Sequence, residues 1–127
     1  VAAAGSMLGS GGVTVMEEGT PMVWAALRLM EFFYHESCGK CSPCREGSSW
    51  LVQTMRRIVA KRGQMEDLET LVDLCKNIEG RTVCAFGDAS VAPIMSTLKY
   101  WRSEYVTLIQ EAEAANLIRP EKIAVRH

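Results

Sequence analysis

Cysteine spacing is the feature that most constrains how this chain of 127 residues folds. Cys38, Cys41 and Cys44 stand close together in the sequence CGKCSPC, and Cys84 follows much later in RTVCAFGD. Two residues between successive cysteines let one short loop turn three thiols toward a single point. A fourth thiol joins them only if the fold brings a distant loop back to the same place.

Apolar residues recur at helical spacing in four segments of the chain. The pattern predicts α-helices over residues 20–34, 42–63, 65–78 and 90–115. Four amphipathic helices joined by short connections predict an all-α fold, a small four-helix bundle. The second and third helices lie between the cysteine triplet and Cys84, so they return the chain to the same end of the bundle.

Residues at the predicted helix boundaries support these limits. Thr20 followed by Pro21, and Ser42 followed by Pro43, resemble an N-cap with proline in the first turn. Gly80 closes the third helix. The residues expected to face the core are Val23, Ala26, Leu27, Met30, Phe33, Leu51, Met55, Ile58, Leu68, Leu71, Val72, Cys75, Ile78, Ile94, Leu98, Trp101, Tyr105, Leu108 and Ala112.

A short β-branched run at residues 13–16 predicts a strand. No other segment resembles a partner strand, and an unpaired strand leaves its backbone groups without hydrogen bonds. We therefore expect the chain to be a fragment: residues 1–19 contain one strand of a sheet that lies outside this sequence, and form a linker. Residues 20–116 form the bundle, and residues 117–127 are an irregular tail.

Composition excludes several classes of function. Fourteen Lys and Arg against fifteen Asp and Glu leave a net charge of −1, which gives no field that attracts nucleic acid. No apolar run reaches the roughly 18 residues that span a bilayer, so we expect no membrane insertion. No Ser/His/Asp set and no paired carboxylates indicate bond-making chemistry within the chain.

Three interpretations of the four cysteines remain open at this point. A [4Fe-4S] cluster needs four thiolates, and proteins often supply three from one loop and one from elsewhere. Zinc also binds four cysteines, although two separate C-x2-C pairs are the more typical zinc pattern. A disulfide framework fits poorly with five cysteines, an odd count. The spacing favours the cluster over zinc.

Charge near the cysteines is consistent with a cluster. Lys40 and Arg45 are adjacent to predicted ligands and Arg81 lies three residues before another, and cations there stabilise a reduced, more negative cluster. Surface solvation explains each of them equally well. His35 could extend the motif to H-x2-C-x2-C, but we interpret it as a residue at the end of the first helix.

The remaining apolar candidates are interpreted as core. Cys75 lies on the apolar stripe of the third helix, where a free thiol packs as a small hydrophobe, and we exclude it as a ligand. Trp24, Trp50 and Trp101 are also expected to pack in the core rather than to form a stacking surface.

Two blocks of sequence carry a resemblance to a known family. HESCGKCSPCREG at residues 35–47, followed by Trp50, and IEGRTVCAFGDASVAPI at residues 78–94 resemble the flavoprotein subunit of respiratory complex I. That subunit oxidises NADH within NADH:quinone oxidoreductase. Ser42 stands where the family commonly has threonine, and Phe86 where it commonly has leucine.

The resemblance implies that this chain is the last of three parts: an FMN- and NADH-binding domain, a ubiquitin-like β domain and a helical iron–sulfur domain. It implies a [4Fe-4S] cluster held by Cys38, Cys41, Cys44 and Cys84, and no FMN bound by this fragment itself. The implied function is to relay single electrons from FMN to the next iron–sulfur centre, as part of an oxidoreductase.

The resemblance also implies partners and a location. The partners are the small [2Fe-2S] subunit and the large iron–sulfur subunit, on the cytoplasmic side of a bacterial inner membrane or the matrix side of a mitochondrial one. Flavoprotein subunits of NAD-linked hydrogenases and formate dehydrogenases carry the same motif and remain alternatives. So does a zinc-stapled helical module without a redox role.

Overall fold

The computed structural model describes residues 1–115, and within them it forms five α-helices after a short 3-10 turn at Ala2–Ala4. The helices are α1 (Met22–Glu36), α2 (Ser42–Val59), α3 (Glu66–Ile78), α4 (Phe86–Tyr100) and α5 (Arg102–Ala114). In a ring of four, α1 and α3 each pack against both α2 and α4, and α5 covers one end through contacts with α1, α2 and α4. The all-α fold class is therefore confirmed.

The apolar stripes of the first three helices meet in one core, as their periodicity predicts. The residues of this core that are at most 1% exposed include Val23, Ala26, Met30, Leu51, Val52, Met55, Ile58, Leu68, Leu71, Cys75, Ile78, Ile94, Tyr105 and Ile109. Phe33, Val72 and Leu108 lie at its edge and are only partly buried. Burial of such side chains contributes roughly 1.5–3 kcal/mol each, so this core is the main source of stability.

The predicted fourth helix is two helices. It begins earlier than expected, at Phe86, and breaks at Trp101, whose backbone leaves helical geometry at φ −129° and ψ 33°. The Trp101 amide donates to the Thr97 carbonyl at 2.8 Å, and the Trp101 carbonyl accepts the Glu104 amide at 3.0 Å. The break lets α5 fold over the end of the ring, where Tyr105 is fully buried.

The start of α1 also differs from the prediction. Thr20 does not cap the helix; its hydroxyl donates to the Glu17 carbonyl at 2.7 Å, and Pro21 occupies the N-cap position. Two free amides of the first turn, those of Met22 and Val23, are instead bound by the Glu104 carboxylate from α5. A residue distant in sequence therefore does what a local cap was expected to do.

Two further expectations do not match the structure. Residues 13–16 are exposed and form no strand, and the sheet expected to pair with them, which lies outside this sequence, remains a prediction. Trp24, Trp50 and Trp101 are 50%, 53% and 42% exposed, so they lie on the surface rather than in the core.

The predicted tail at residues 117–127 lies outside the described residues. No helix within residues 1–115 has the length and apolar character to cross a bilayer.

Candidate metal centre

Four cysteines line one pocket at an end of the bundle. The antiparallel pair α2 and α3 carries the chain away from the α1–α2 loop and back, so the α3–α4 loop ends beside it. The pocket has a volume of about 180 Å³. Its lining residues are Glu36, Ser37, Cys38, Lys40, Cys41, Cys44, Thr82, Cys84, Phe86 and Gly87.

The four thiols differ in exposure. Cys44 is buried, Cys41 is half-buried, and Cys38 and Cys84 are exposed. Among residues 1–115, no three His, Cys, Asp or Glu side chains already stand in an arrangement that would hold a metal ion. The fold thus brings the predicted ligands to one pocket without drawing them onto a single point.

Cys44 occupies the first turn of α2, which begins at Ser42 with Cys41 in the N-cap position. The helix therefore starts where the Ser42–Pro43 pattern predicts, but Cys41 rather than Ser42 is the N-cap residue, and no side chain caps it. Free amides and the helix dipole make the N-terminus of a helix favourable for negative charge, and a thiolate is the charged form of Cys44. The Ser37 hydroxyl lies 3.3 Å from the Cys44 sulfur.

The loop between α1 and α2 is held in a defined shape. Gly39 has a φ of +77°, in the left-handed region that other residues rarely adopt. The Arg45 guanidinium donates to the Gly39 carbonyl at 2.7 Å and, through Nε, to the Glu46 carboxylate at 2.8 Å. Arg45 thus fixes the loop between the first two cysteines, and part of its charge is balanced by Glu46. Lys40 lines the pocket directly.

The α3–α4 loop is anchored at both ends. The Gly80 amide donates to the Asp88 carboxylate at 2.7 Å, and the Thr82 hydroxyl donates to the Cys84 carbonyl at 2.9 Å. Gly87 is in such close contact with Thr82 that a Cβ atom there would overlap the threonine side chain. These contacts hold the loop that carries Cys84 against the start of α4.

One hydrogen bond joins the two cysteine loops. The Val83 amide donates to the Cys41 sulfur at 3.4 Å, across 42 positions of sequence. Nearby, the rings of Phe33 and Phe86 meet edge to face with centroids 5.3 Å apart, and this contact packs the end of α1 on the start of α4. Phe86 also lines the pocket, so this contact fixes the position of part of its wall.

Cys75 and His35 lie where the sequence predicts. Cys75 is fully buried in the core. Burial, and secondarily the charge of Glu79, raises the pKa of the Cys75 thiol to about 12, so it remains protonated at neutral pH. The His35 side chain is 85% exposed and pairs with Glu36 at 3.0 Å, outside the pocket lining.

Sequence patterns did not identify Ser37, Thr82 or Val83 as parts of the site. Ser37 directly precedes the first cysteine, and Val83 directly precedes the last. Their position next to a candidate cysteine ligand was the one feature of the sequence that could have indicated them. A sequence does not show, however, which residue next to a cysteine directs a hydrogen-bond donor toward a sulfur atom. The Val83 contact in particular depends on two distant loops meeting.

Comparison with known proteins identifies the family to which this pocket belongs. Residues 24–108 match the model of the NADH-ubiquinone oxidoreductase-F iron-sulfur binding region. An F-type subunit of the NADH-quinone oxidoreductase of Rhizobium meliloti (strain 1021) is 54% identical over 109 residues, which are 86% of this chain and 26% of that protein. The F-type subunit of the Streptomyces coelicolor NADH-quinone oxidoreductase is 54% identical over 105 residues, which are 83% of this chain and 23% of that protein.

A solved structure is also similar. A chain of an NAD+-reducing [NiFe]-hydrogenase in the H2-reduced state superposes with a TM-score of 0.72 at 27% identity, covering 75% of this chain and 17% of that one. The chain spans about a quarter of the length of the curated relatives it matches. With the family model matching most of its helical part, including all the cysteines of the pocket, the chain belongs to the family of the NADH-ubiquinone oxidoreductase-F iron-sulfur binding region.

Proposed function

We propose that this chain holds a [4Fe-4S] cluster on Cys38, Cys41, Cys44 and Cys84 and relays single electrons within an NADH:quinone oxidoreductase. The observation that carries the proposal is the convergence of these four thiols, from two distant loops, on one pocket. The family match to an iron–sulfur binding region supports the identity of the cofactor.

The donor set suits such a cluster. Thiolates are soft ligands that favour iron–sulfur clusters, and four of them complete the coordination of a [4Fe-4S] centre. Two of the sulfur atoms already have hydrogen-bonding groups beside them, the Val83 amide and the Ser37 hydroxyl. Cys44 lies at a helix N-terminus, which stabilises negative charge. These features match the needs of an anionic sulfur-bound group.

The pocket has room for a group larger than a single zinc ion. Zinc binds sulfur at about 2.3 Å, which places four tetrahedral sulfur atoms within about 3.8 Å of one another. Thiols at that separation enclose one atom. Here they line a pocket of about 180 Å³, which has room for a group of several atoms.

When bound, a [4Fe-4S] cluster supplies a one-electron carrier. The residues of the chain hold the two loops that would carry the cluster. Gly39 and Arg45 hold the shape of the loop that carries the first two cysteines, and Thr82 and Gly87 hold the loop that carries Cys84. Phe86 lines the pocket and Cys44 is buried, so water has limited access to the Cys44 sulfur.

The function of the whole parent protein is inferred from the relatives to which this chain is similar. We infer that the parent protein oxidises NADH through FMN held by another part, and that electrons then pass through this domain to the next iron–sulfur centre. Its partners in that setting are the small [2Fe-2S] subunit and the large iron–sulfur subunit, on the cytoplasmic side of a bacterial membrane. Residues 1–19 then belong to the linker from a preceding β domain.

One observation supports a different parent protein, a hydrogenase. The similarity to a chain of an NAD+-reducing [NiFe]-hydrogenase, at 27% identity, is consistent with the same domain serving a hydrogenase. The electron-relay role is the same in both cases. The higher identity to the F-type subunits of NADH-quinone oxidoreductases, 54%, favours the quinone oxidoreductase.

The test is metal and spectroscopic analysis of anaerobically purified protein. We expect about four iron and four sulfide per chain and, after dithionite reduction, the EPR signal of a reduced [4Fe-4S] centre. One zinc per chain with no sulfide would overturn the proposal.

A further inference from the structure

We propose that Ser37 is a positioning residue that raises the reduction potential of the cluster by donating a hydrogen bond to the Cys44 sulfur. This inference rests on the proposed function, since it concerns the cluster that Cys44 would help to hold. Its structural basis is the 3.3 Å contact between the Ser37 hydroxyl and the Cys44 sulfur.

The direction of this hydrogen bond follows from the neighbours of the hydroxyl. The Gly39 amide donates to the Ser37 oxygen at 3.4 Å, so that oxygen already acts as an acceptor. A metal-bound thiolate carries no proton and can only accept. With Cys44 bound to the cluster as a thiolate, the Ser37 hydroxyl is the donor of this pair, and a chain of donors then runs from the Gly39 amide through Ser37 to Cys44. Each hydrogen bond in such a chain polarises the next.

Ser37 is held in place by backbone contacts. It lies at the C-cap position of α1, where its amide donates to the Phe33 carbonyl at 3.1 Å. Cys44 is fixed independently in the first turn of α2 and is buried. The hydroxyl thus bridges the end of one helix and the start of the next at the wall of the pocket, where partial burial strengthens the interaction.

The consequence for the cluster is electrostatic. Reduction adds negative charge that is shared with the ligand sulfur atoms, and a donor at sulfur stabilises the reduced state more than the oxidised state. Removing the donor therefore lowers the reduction potential. Cys41 accepts its hydrogen bond from the backbone of Val83, which most side-chain substitutions leave in place. Ser37 is the position where a conservative substitution changes the hydrogen bonding at a ligand.

The experiment compares Ser37→Ala, Ser37→Thr and wild-type protein by EPR-monitored redox titration of the reconstituted cluster. For Ser37→Ala we expect the equilibrium constant for one-electron reduction to fall up to about tenfold, which is about 59 mV. Ser37→Thr keeps a hydroxyl and should stay within about twofold of wild type. Ser49→Ala is the matched control, because Ser49 lies on α2 with its hydroxyl beside Gln53, outside the pocket.

A second measurement does not depend on any variant assembling its cluster. Pulsed ENDOR of the reduced wild-type protein in D2O should detect exchangeable deuterons beside the cluster, from the Ser37 hydroxyl and the Val83 amide. A spectrum without such deuterons overturns the inference, and so does a Ser37→Ala potential equal to wild type. If the wild-type chain holds no cluster, the proposed function itself fails; if the cluster is present and the potentials coincide, only the role of Ser37 fails.

Discussion

The carboxylate of Glu104 accepts the backbone amide of Val23 at 3.1 Å, across 81 positions of sequence. Its other oxygen accepts the Met22 amide, also at 3.1 Å. One side chain in the first turn of α5 thus satisfies two free amides at the start of α1 and places negative charge at the positive end of that helix. This contact ties the helix that covers the bundle to the helix that leads into the cysteine loop.

Glu104→Ala is expected to lower the free energy of unfolding by about 1–2 kcal/mol, because it leaves these two amides without their partner. The measurement is urea denaturation followed by circular dichroism. Glu69→Ala is the matched control: it replaces an exposed glutamate that also lies in the first turn of its helix, α3, so the changes in helix propensity and helix-dipole interaction are similar. Equal effects of the two substitutions would contradict the capping role.

Cys84→Ala and Cys75→Ala should have opposite effects on the cluster. We expect Cys84→Ala to lose most of the bound iron and sulfide, since it removes a thiol of the pocket. Cys75→Ala should retain the wild-type iron content and EPR signal, because Cys75 is buried in the core away from the pocket. Retention of a full cluster by Cys84→Ala would show that another group completes the coordination.

Arg57→Ala should destabilise the fold more than Arg56→Ala. Arg57 donates two hydrogen bonds to Asp67, whose side chain is only 8% exposed and which also accepts the Gln64 amide at 2.8 Å. Removing the guanidinium leaves a nearly buried carboxylate without its cation, at a cost of about 1.5–3 kcal/mol.

The neighbouring Arg56 supplies the comparison for this prediction. It pairs with Glu31 at 2.9 Å in a more exposed setting, where ion pairs contribute about 0–1 kcal/mol. Chemical denaturation of both variants gives the two costs directly. A loss for Arg56→Ala as large as that for Arg57→Ala would contradict the assignment of the stronger pair to the α2–α3 contact.

Stability should fall in alkaline solution, in part through Cys75. Burial raises the pKa of its thiol from 9.0 to about 12 in the folded protein. Between these values the unfolded chain loses the proton while the folded chain keeps it, so the free energy of unfolding decreases as the pH rises above 9. The loss from this thiol is about 1 kcal/mol between pH 8 and pH 10.

Urea denaturation of wild type and Cys75→Ala at pH 8 and pH 10 isolates this contribution. The variant should lose less stability between the two values than wild type does. A residual decrease is expected in both proteins toward higher pH, because burial also raises the pKa of Tyr105 to about 12. Identical pH dependence in the two proteins would show that Cys75 ionises as freely in the folded state as in the unfolded state.

Local patterns were sufficient for most of the bundle. The stripes containing Met30, Met55 and Leu71 predicted buried faces because helical periodicity depends only on spacing along the chain. The break at Trp101 could not be predicted from this spacing. The buried residues on either side of it, Leu98 and Tyr105, are seven positions apart, as they would be on one face of a continuous helix, so the pattern of two helices looks like that of one.

The sequence by itself determined the helical class, the stripe that buries Cys75 and the candidate set of four thiols, because spacing and residue type carry that information. Only the tertiary structure decided which other groups contact these four thiols. Ser37 and Val83 reach sulfur atoms, and Glu104 reaches the start of α1, through loops and helices that meet only after the chain has packed. Such contacts depend on the directions of donors in space, which residue order does not specify.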